Sequence, residues 1–186
     1  STAGSFPAAG QPNFLHALRR AGYHTAEVGK MHFGRGSLGD GVKAWGFDEA
    51  WQEHDKYVLW RLDTPYTRRL ERLGLLAAWA EHNSALLPWL PSVDGEMQPN
   101  PRYRDDADGG PDPVPEDEML DVFIGEEACT FLRAYDRDEP FFLWVAPIGP
   151  HPPFDAAERH TAPSDAARIP LGDLRREPYP DNRWGR

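Results

Sequence analysis

Lys30 and His32 stand two residues apart in Gly29-Lys30-Met31-His32-Phe33-Gly34, and a third basic side chain, His151, stands in Pro147-Ile148-Gly149-Pro150-His151-Pro152-Pro153-Phe154. In extended backbone, residues two apart point to the same side. Two cationic groups aimed at one point make an anion site. Gly29 and Gly34 lack a Cβ, so backbone can approach a ligand closely there. The prolines around His151 stiffen its loop, which leaves the imidazole little freedom to lose on engaging a ligand. Histidine also moves protons near neutral pH. The competing reading is a surface Lys and His in an ordinary connection, and a structural His in a Pro-rich turn. A lone Lys-x-His would not displace that reading; the surrounding sequence does.

Other chemistry-bearing residues carry less. Cys129 falls mid-helix, opposite the apolar stripe and with no basic neighbour beside it, which argues against a nucleophile. His54, Asp55 and Tyr57 are polar groups that could face a cleft, but a solvated surface accounts for them. Asp105, Asp106, Asp108 and Asp112 lack the alternating ligands and closing Glu of a calcium-binding helix-loop-helix. They read as a solvated loop.

The elements that must position these residues alternate between helix and strand. Asn13 is a fitting N-cap. Phe14, Leu15, Ala17, Leu18 and Ala21 mark one helical face, Arg19 and Arg20 suit the C-terminal end of the helix dipole, and Gly22 is the stop. Tyr23 to Val28 read as a strand leading into the Lys30 loop. Trp45 and Phe47 pin the following Gly-rich loop to the core. Thr64 caps a helix with Pro65 in its first turn; the pattern continues through Leu70, Leu73, Leu76 and Ala80 towards His82. Residues 88–116 are rich in Pro, Asp and Gly and read as an excursion with little regular structure. Residues 51–115 together read as an insert or lid where specificity resides.

The clearest helix follows, with Glu116, Asp117 and Glu118 at its start and Leu120, Ile124, Ala128, Phe131 and Tyr135 in one stripe. Phe141 to Ala146 is a continuous apolar run, expected of a strand buried on both faces of a parallel sheet. His151 lies just beyond its end. In open α/β sheets ligands bind past the carboxyl ends of the strands, so Lys30 and His151 occupy equivalent positions on two strands. The fold class is α/β.

The 186 residues are enough for one domain with a sizeable core. A net charge of -10 argues against nucleic acid or an anionic membrane as partner. The single cysteine excludes an intrachain disulfide and a Cys-rich zinc site. No apolar run is long enough to span a membrane and no signal peptide is visible, but the chain opens on Ser1 rather than Met, so localisation stays open.

Gly22-Tyr23-x-Thr25-x-x-x-Gly29-Lys30-Met31-His32-Phe33 resembles a signature of the sulfatase family. Phe141-Phe142-Leu143 followed by Pro150-His151-Pro152-Pro153-Phe154 resembles a second segment of that family, and Gly46-Phe47-Asp48 falls between them in the same order. The resemblance implies an alkaline-phosphatase-like fold, an α/β/α sandwich around a mixed, mostly parallel sheet. It implies hydrolysis of small-molecule or saccharide sulfate esters by a formylglycine nucleophile beside a divalent cation, usually calcium. Lys30 then resembles the lysine that bridges nucleophile and sulfate oxygens. His32 resembles the histidine that hydrogen-bonds the formylglycine hydroxyl, and His151 the histidine near the ester oxygen.

The chain departs from the family pattern as well. No Cys-x-Pro-x-Arg is present to become formylglycine, and Cys129 has another context. The paired Asp, the Asp-Asn or Asp-His pair of the metal site, and a second lysine are missing; Asp181-Asn182 reads as a chance dipeptide. These departures suggest that residues 1–186 are an internal part of a sulfatase catalytic domain, incomplete at both ends. Two alternatives stand beside it: a related hydrolase of phosphonate monoesters or phosphodiesters, and a non-catalytic domain that keeps the scaffold.

Overall fold

The computed structural model describes residues 11–31, 43–53, 56–91, 97–104, 111–151 and 156–160. Its first helix, α1 (Phe14–Arg20), begins as the sequence requires: the Asn13 carboxamide oxygen accepts the N–H groups of Leu15 and His16. It ends at Gly22, with φ of 85°. The N–H of Gly22 donates to Arg19 O and that of Tyr23 to Leu18 O, the paired bonds that a left-handed glycine permits. The chain then enters β1 (His24–Lys30), two residues longer at its end than the sequence suggests.

β1 lies at the centre of a three-stranded parallel sheet, between β2 (Glu49–Glu53) and β5 (Phe141–Ala146). Ala26 is opposite Glu49 on one side and Leu143 on the other, and Gly29 is opposite Ala146. Between β2 and β5 the chain forms α2 (Lys56–Leu59), α3 (Pro65–Arg72), α4 (Leu76–Ala85), a short antiparallel pair β3 (Trp89–Pro91) and β4 (Met97–Pro99), and α5 (Leu120–Ala134).

Apolar side chains cover both faces of the sheet. On one face Leu15, Met31, Trp45 and Phe47 pack with Phe142, Trp144 and Ala146. On the other, Val28 and Leu143 meet Tyr66, Leu70, Trp79, Leu120, Phe123 and Ile124 from α3, α4 and α5. The result is helix, sheet, helix: a mixed α/β architecture of the expected sandwich type. Trp45 and Phe47 do hold their loop against the core, as their sequence position suggests.

Three expectations change in detail. The apolar run Phe141–Ala146 is a strand, but it is only partly buried, with Phe141 39% and Val145 41% exposed. β1 is the strand buried along almost its whole length. It has partners on both sides, whereas β5 forms an edge among the described residues. The helical pattern from Pro65 to His82 is two helices. Gly74, with φ of 72°, breaks it: its N–H donates to Glu71 O and that of Leu75 to Leu70 O. Finally, Glu116–Glu118 is a separate 3-10 turn; Asp121 is the acid in the first turn of α5 itself.

The segment 51–115 supplies Tyr66, Leu70 and Trp79 to the main core. Tyr66 OH donates to Glu118 O, and Arg69 pairs with Glu118 and Glu126, so α3 is tied to the start of α5. The stripe Leu120, Ile124, Ala128 and Phe131 is buried as its spacing demands, and Cys129 is exposed.

Candidate active site

Among the described residues a cavity lies at each end of β1. The larger, about 520 Å³, sits at the amino end among Arg19, His24, Asp48, Glu49 and Arg137. Its charges are already matched. Arg19 Nε lies 3.0 Å from Asp48 Oδ1, and His24 Nε2 lies 2.9 Å from Glu49 Oε1. The Thr25 N–H donates to Asp48 Oδ2 at 2.9 Å, and the Thr25 hydroxyl lies 2.8 Å from Gly46 O. Burial pushes the Asp48 carboxyl up, but the bonds from Thr25 and the charges of Arg19 and His24 outweigh it and hold it below 3.8. Such a network fastens β2 and the Gly46-Phe47-Asp48 turn to the head of the central strand. It lies at the edge of a parallel sheet where ligands are not expected.

The other cavity, about 410 Å³, lies at the carboxyl end. Its wall includes apolar Met119, Leu120 and Val122 from α5 and Ala156 and Ala157, and its polar groups include Lys56, Asp112, Asp121, His151 and His160. A parallel bridge between Pro111 and Ala156, with Asp112 N–H donating to Ala156 O at 3.0 Å, brings the two segments of the rim together.

His151 reaches this cavity through a short, braced loop after β5. Ile148 is buried in the core beside Leu120. The Ile148 N–H donates to Asp121 Oδ1 at 2.8 Å and the Gly149 N–H to Asp121 Oδ2 at 3.0 Å. The His151 N–H donates back to Ile148 O at 3.0 Å. The Gly149–Pro150 peptide is cis. The hydrogen bonds at Ile148, Gly149 and His151 hold the loop from Ile148 to His151.

Lys30 ends β1, half-buried, at the same edge of the sheet. Val28, two residues before it, packs in the core against α5, and Met31, the next residue, in the core against α1. Gly29, with φ of 113°, sits where a Cβ would fall 2.2 Å from Ala146 O. The glycine that precedes the lysine thus lets β1 and β5 close up.

Because β1 and β5 run parallel with Gly29 opposite Ala146, Lys30 and the His151 loop leave the sheet at one edge; Lys30 is not among the residues lining the cavity. His32 lies outside the described residues, as do His54, Asp55, Asp105, Asp106, Asp108 and Asp181-Asn182. Sequence reasoning missed Lys56, which is only 7% exposed at the cavity wall, and Asp121. The one signal for Asp121 was its place at the second position of an apolar-striped helix, a position acids favour for other reasons.

Among the described residues no three of His, Cys, Asp and Glu are grouped so as to hold a metal ion. The divalent cation that the resemblance implies has no ligand set there. No helix among them is long and apolar enough to cross a membrane.

A sequence model of the sulfatase family matches residues 2–177. The fold is similar to that of the phosphonate monoester hydrolase SpPMH from Silicibacter pomeroyi, with a TM-score of 0.55 and 20% sequence identity over 90% of this chain. The chain spans 32% of the length of that structure. No curated protein matches the chain.

Proposed function

Because the chain belongs to the sulfatase family, a family of hydrolases, we propose that it forms part of the catalytic domain of a sulfuric ester hydrolase. The observation that supports the reading is the parallel pairing of β1 with β5, through which Lys30 at the end of β1 and the loop that carries His151 after β5 leave the sheet at the same carboxyl edge. Attack on a sulfate ester concentrates negative charge on the sulfuryl oxygens and on the leaving oxygen. A fixed ammonium stabilises that charge without reorganising when the reaction occurs. We assign this role, and contact with the bound sulfate, to Lys30. His151 orients the ester from the cavity side and can donate a proton to the leaving oxygen. His32, two residues beyond Lys30, is assigned to proton transfer on the nucleophile side.

A formylglycine nucleophile and a calcium ion remain part of the proposal, supplied by residues other than those described; Lys30 and His151 act on the ester itself. The substrate is a small-molecule or saccharide sulfate ester. The test is hydrolysis of aryl sulfates and aryl phosphonates by the full-length protein, with Lys30→Ala beside it. Preferred turnover of the sulfate, lost in the variant, supports the proposal.

The similarity to a phosphonate monoester hydrolase gives a second reading of the same site. A phosphonate monoester also places developing negative charge on non-bridging oxygens, so Lys30 and His151 would serve it as well. Preferred turnover of the phosphonate would favour that reading. Hydrolysis of neither would favour a binding domain that keeps the scaffold.

A further inference from the structure

His151 lies five residues past the end of β5, outside regular structure. Its position is set from outside the loop. The Asp121 carboxylate, in the first turn of α5, accepts the Ile148 N–H at 2.8 Å on Oδ1 and the Gly149 N–H at 3.0 Å on Oδ2. Both oxygens are used on consecutive amides, so one side chain fixes the direction of the chain as well as its distance. Gly149 is shaped to this clamp: a Cβ there would fall 2.5 Å from Asp121 Oδ2. The turn closes with the His151 N–H on Ile148 O at 3.0 Å. The link from helix to imidazole is therefore Asp121, Ile148, His151, with Leu120 and Ile148 packed in the core beneath it.

We propose that Asp121 is a positioning residue for His151. It holds the loop after β5 so that the imidazole meets the ester at the cavity rather than swinging with the chain. The inference rests on the reading of His151 as a group that meets the ester. Helix-dipole complementarity would also suit an acid at this place, but it would not require two oxygens on two loop amides. An amide side chain offers one acceptor oxygen in place of two. In Asp121→Asn an oxygen at the Oδ1 position still accepts the Ile148 N–H at 2.8 Å and, at 3.3 Å, the Gly149 N–H. An NH2 donor then faces the Gly149 N–H where Oδ2 stood, so the clamp is weakened with almost no change of shape.

The test is a kinetic cycle in the full-length protein with Asp121→Asn, His151→Ala and the double variant. Displacing a reacting group by about 1 Å costs on the order of a hundredfold. Asp121→Asn should lower kcat by about tenfold to a hundredfold, with a smaller change in KM. In the His151→Ala background the same substitution should cost nothing further, because the group it positions is gone. Equal losses in both backgrounds, or wild-type kcat in Asp121→Asn, would overturn the proposal. Gly149→Ala is the second route, since it pushes the Asp121 carboxylate aside without altering its charge; it should reproduce the loss and also be silent without His151.

A readout independent of turnover separates this from the function itself. In protein labelled with 13C-histidine, the His151 ring signal, identified by its loss in His151→Ala, should shift or broaden in Asp121→Asn while that of His24 stays. An unmoved His151 signal overturns the positioning role whatever the enzyme hydrolyses. A moved signal in a protein that hydrolyses no ester upholds the role and sinks the catalytic reading.

Discussion

Lys30 can be tested apart from its surroundings. Removing its ammonium removes charge and hydrogen-bond donors, the kind of group whose loss costs about two to three orders of magnitude in turnover. Lys30→Ala should show such a fall in kcat for the full-length protein; near-normal turnover would take Lys30 out of the site. Asp48 gives a prediction on stability. Its carboxyl is held below 3.8 in the folded protein despite burial, by Thr25, Arg19 and His24. A group lowered on folding adds stability that is complete above its unfolded value and lost as pH falls through the folded one. Asp48→Asn should therefore lower Tm near neutral pH and lose less on acidification below roughly pH 4. Superimposable Tm curves for the two proteins between about pH 2 and 6 would refute this. At this scale the sequence named Asp48 only as part of Gly46-Phe47-Asp48. Its partner Thr25 lies 23 residues away, so no local pattern announces the pair.

The elements show why local signals succeed in one place and fail in another. Asn13, Gly22, Thr64 and Pro65 act within a turn of themselves, and each does what its chemistry dictates. Thr64 takes the Thr67 N–H at 3.1 Å on its hydroxyl, so Thr64→Ala should cost about 1 kcal/mol. Gly74 was readable by the same rules, yet apolar spacing continued across it and suggested one helix where there are two. Gly29 matters through β5, a strand more than a hundred residues on. A Cβ there meets the Ala146 carbonyl, which is backbone and cannot rotate away, and φ of 113° strains any other residue. Gly29→Ala should destabilise the protein by roughly 2 kcal/mol or more. Urea denaturation with an unchanged midpoint would show that the two strands have room to part.

At the scale of the whole molecule, three parallel strands among the described residues, with helices on both faces, bring Lys30 and the loop of His151 to one edge. Phe141 and Val145 leave β5 partly uncovered, and β5 is an edge of the sheet among the described residues. The family's nucleophile motif, Cys-x-Pro-x-Arg, does not occur in these 186 residues. The chain expressed alone should hydrolyse no aryl sulfate, with or without added calcium, whereas the full-length protein should. Metal-dependent turnover by the chain alone would overturn the assignment of the nucleophile to other residues.

The amino-acid sequence by itself determined what depends on neighbours along the chain. It specified the cap and stop of α1, the cap of α3, the buried stripe of α5, the apolar strand at 141–146, and motifs specific enough to point to a family. Only the tertiary structure decided which strand is central. Burial of β1 comes from β2, β5 and two helical layers converging on it, not from its own composition, which includes His24, Thr25 and Glu27. Tertiary structure likewise brought Lys56 and Asp121 to the wall beside His151. Asp121 is joined to that site by hydrogen bonds to Ile148 and Gly149 and Lys56 lines the same cavity, and proximity between groups distant in the chain leaves no periodic trace in sequence.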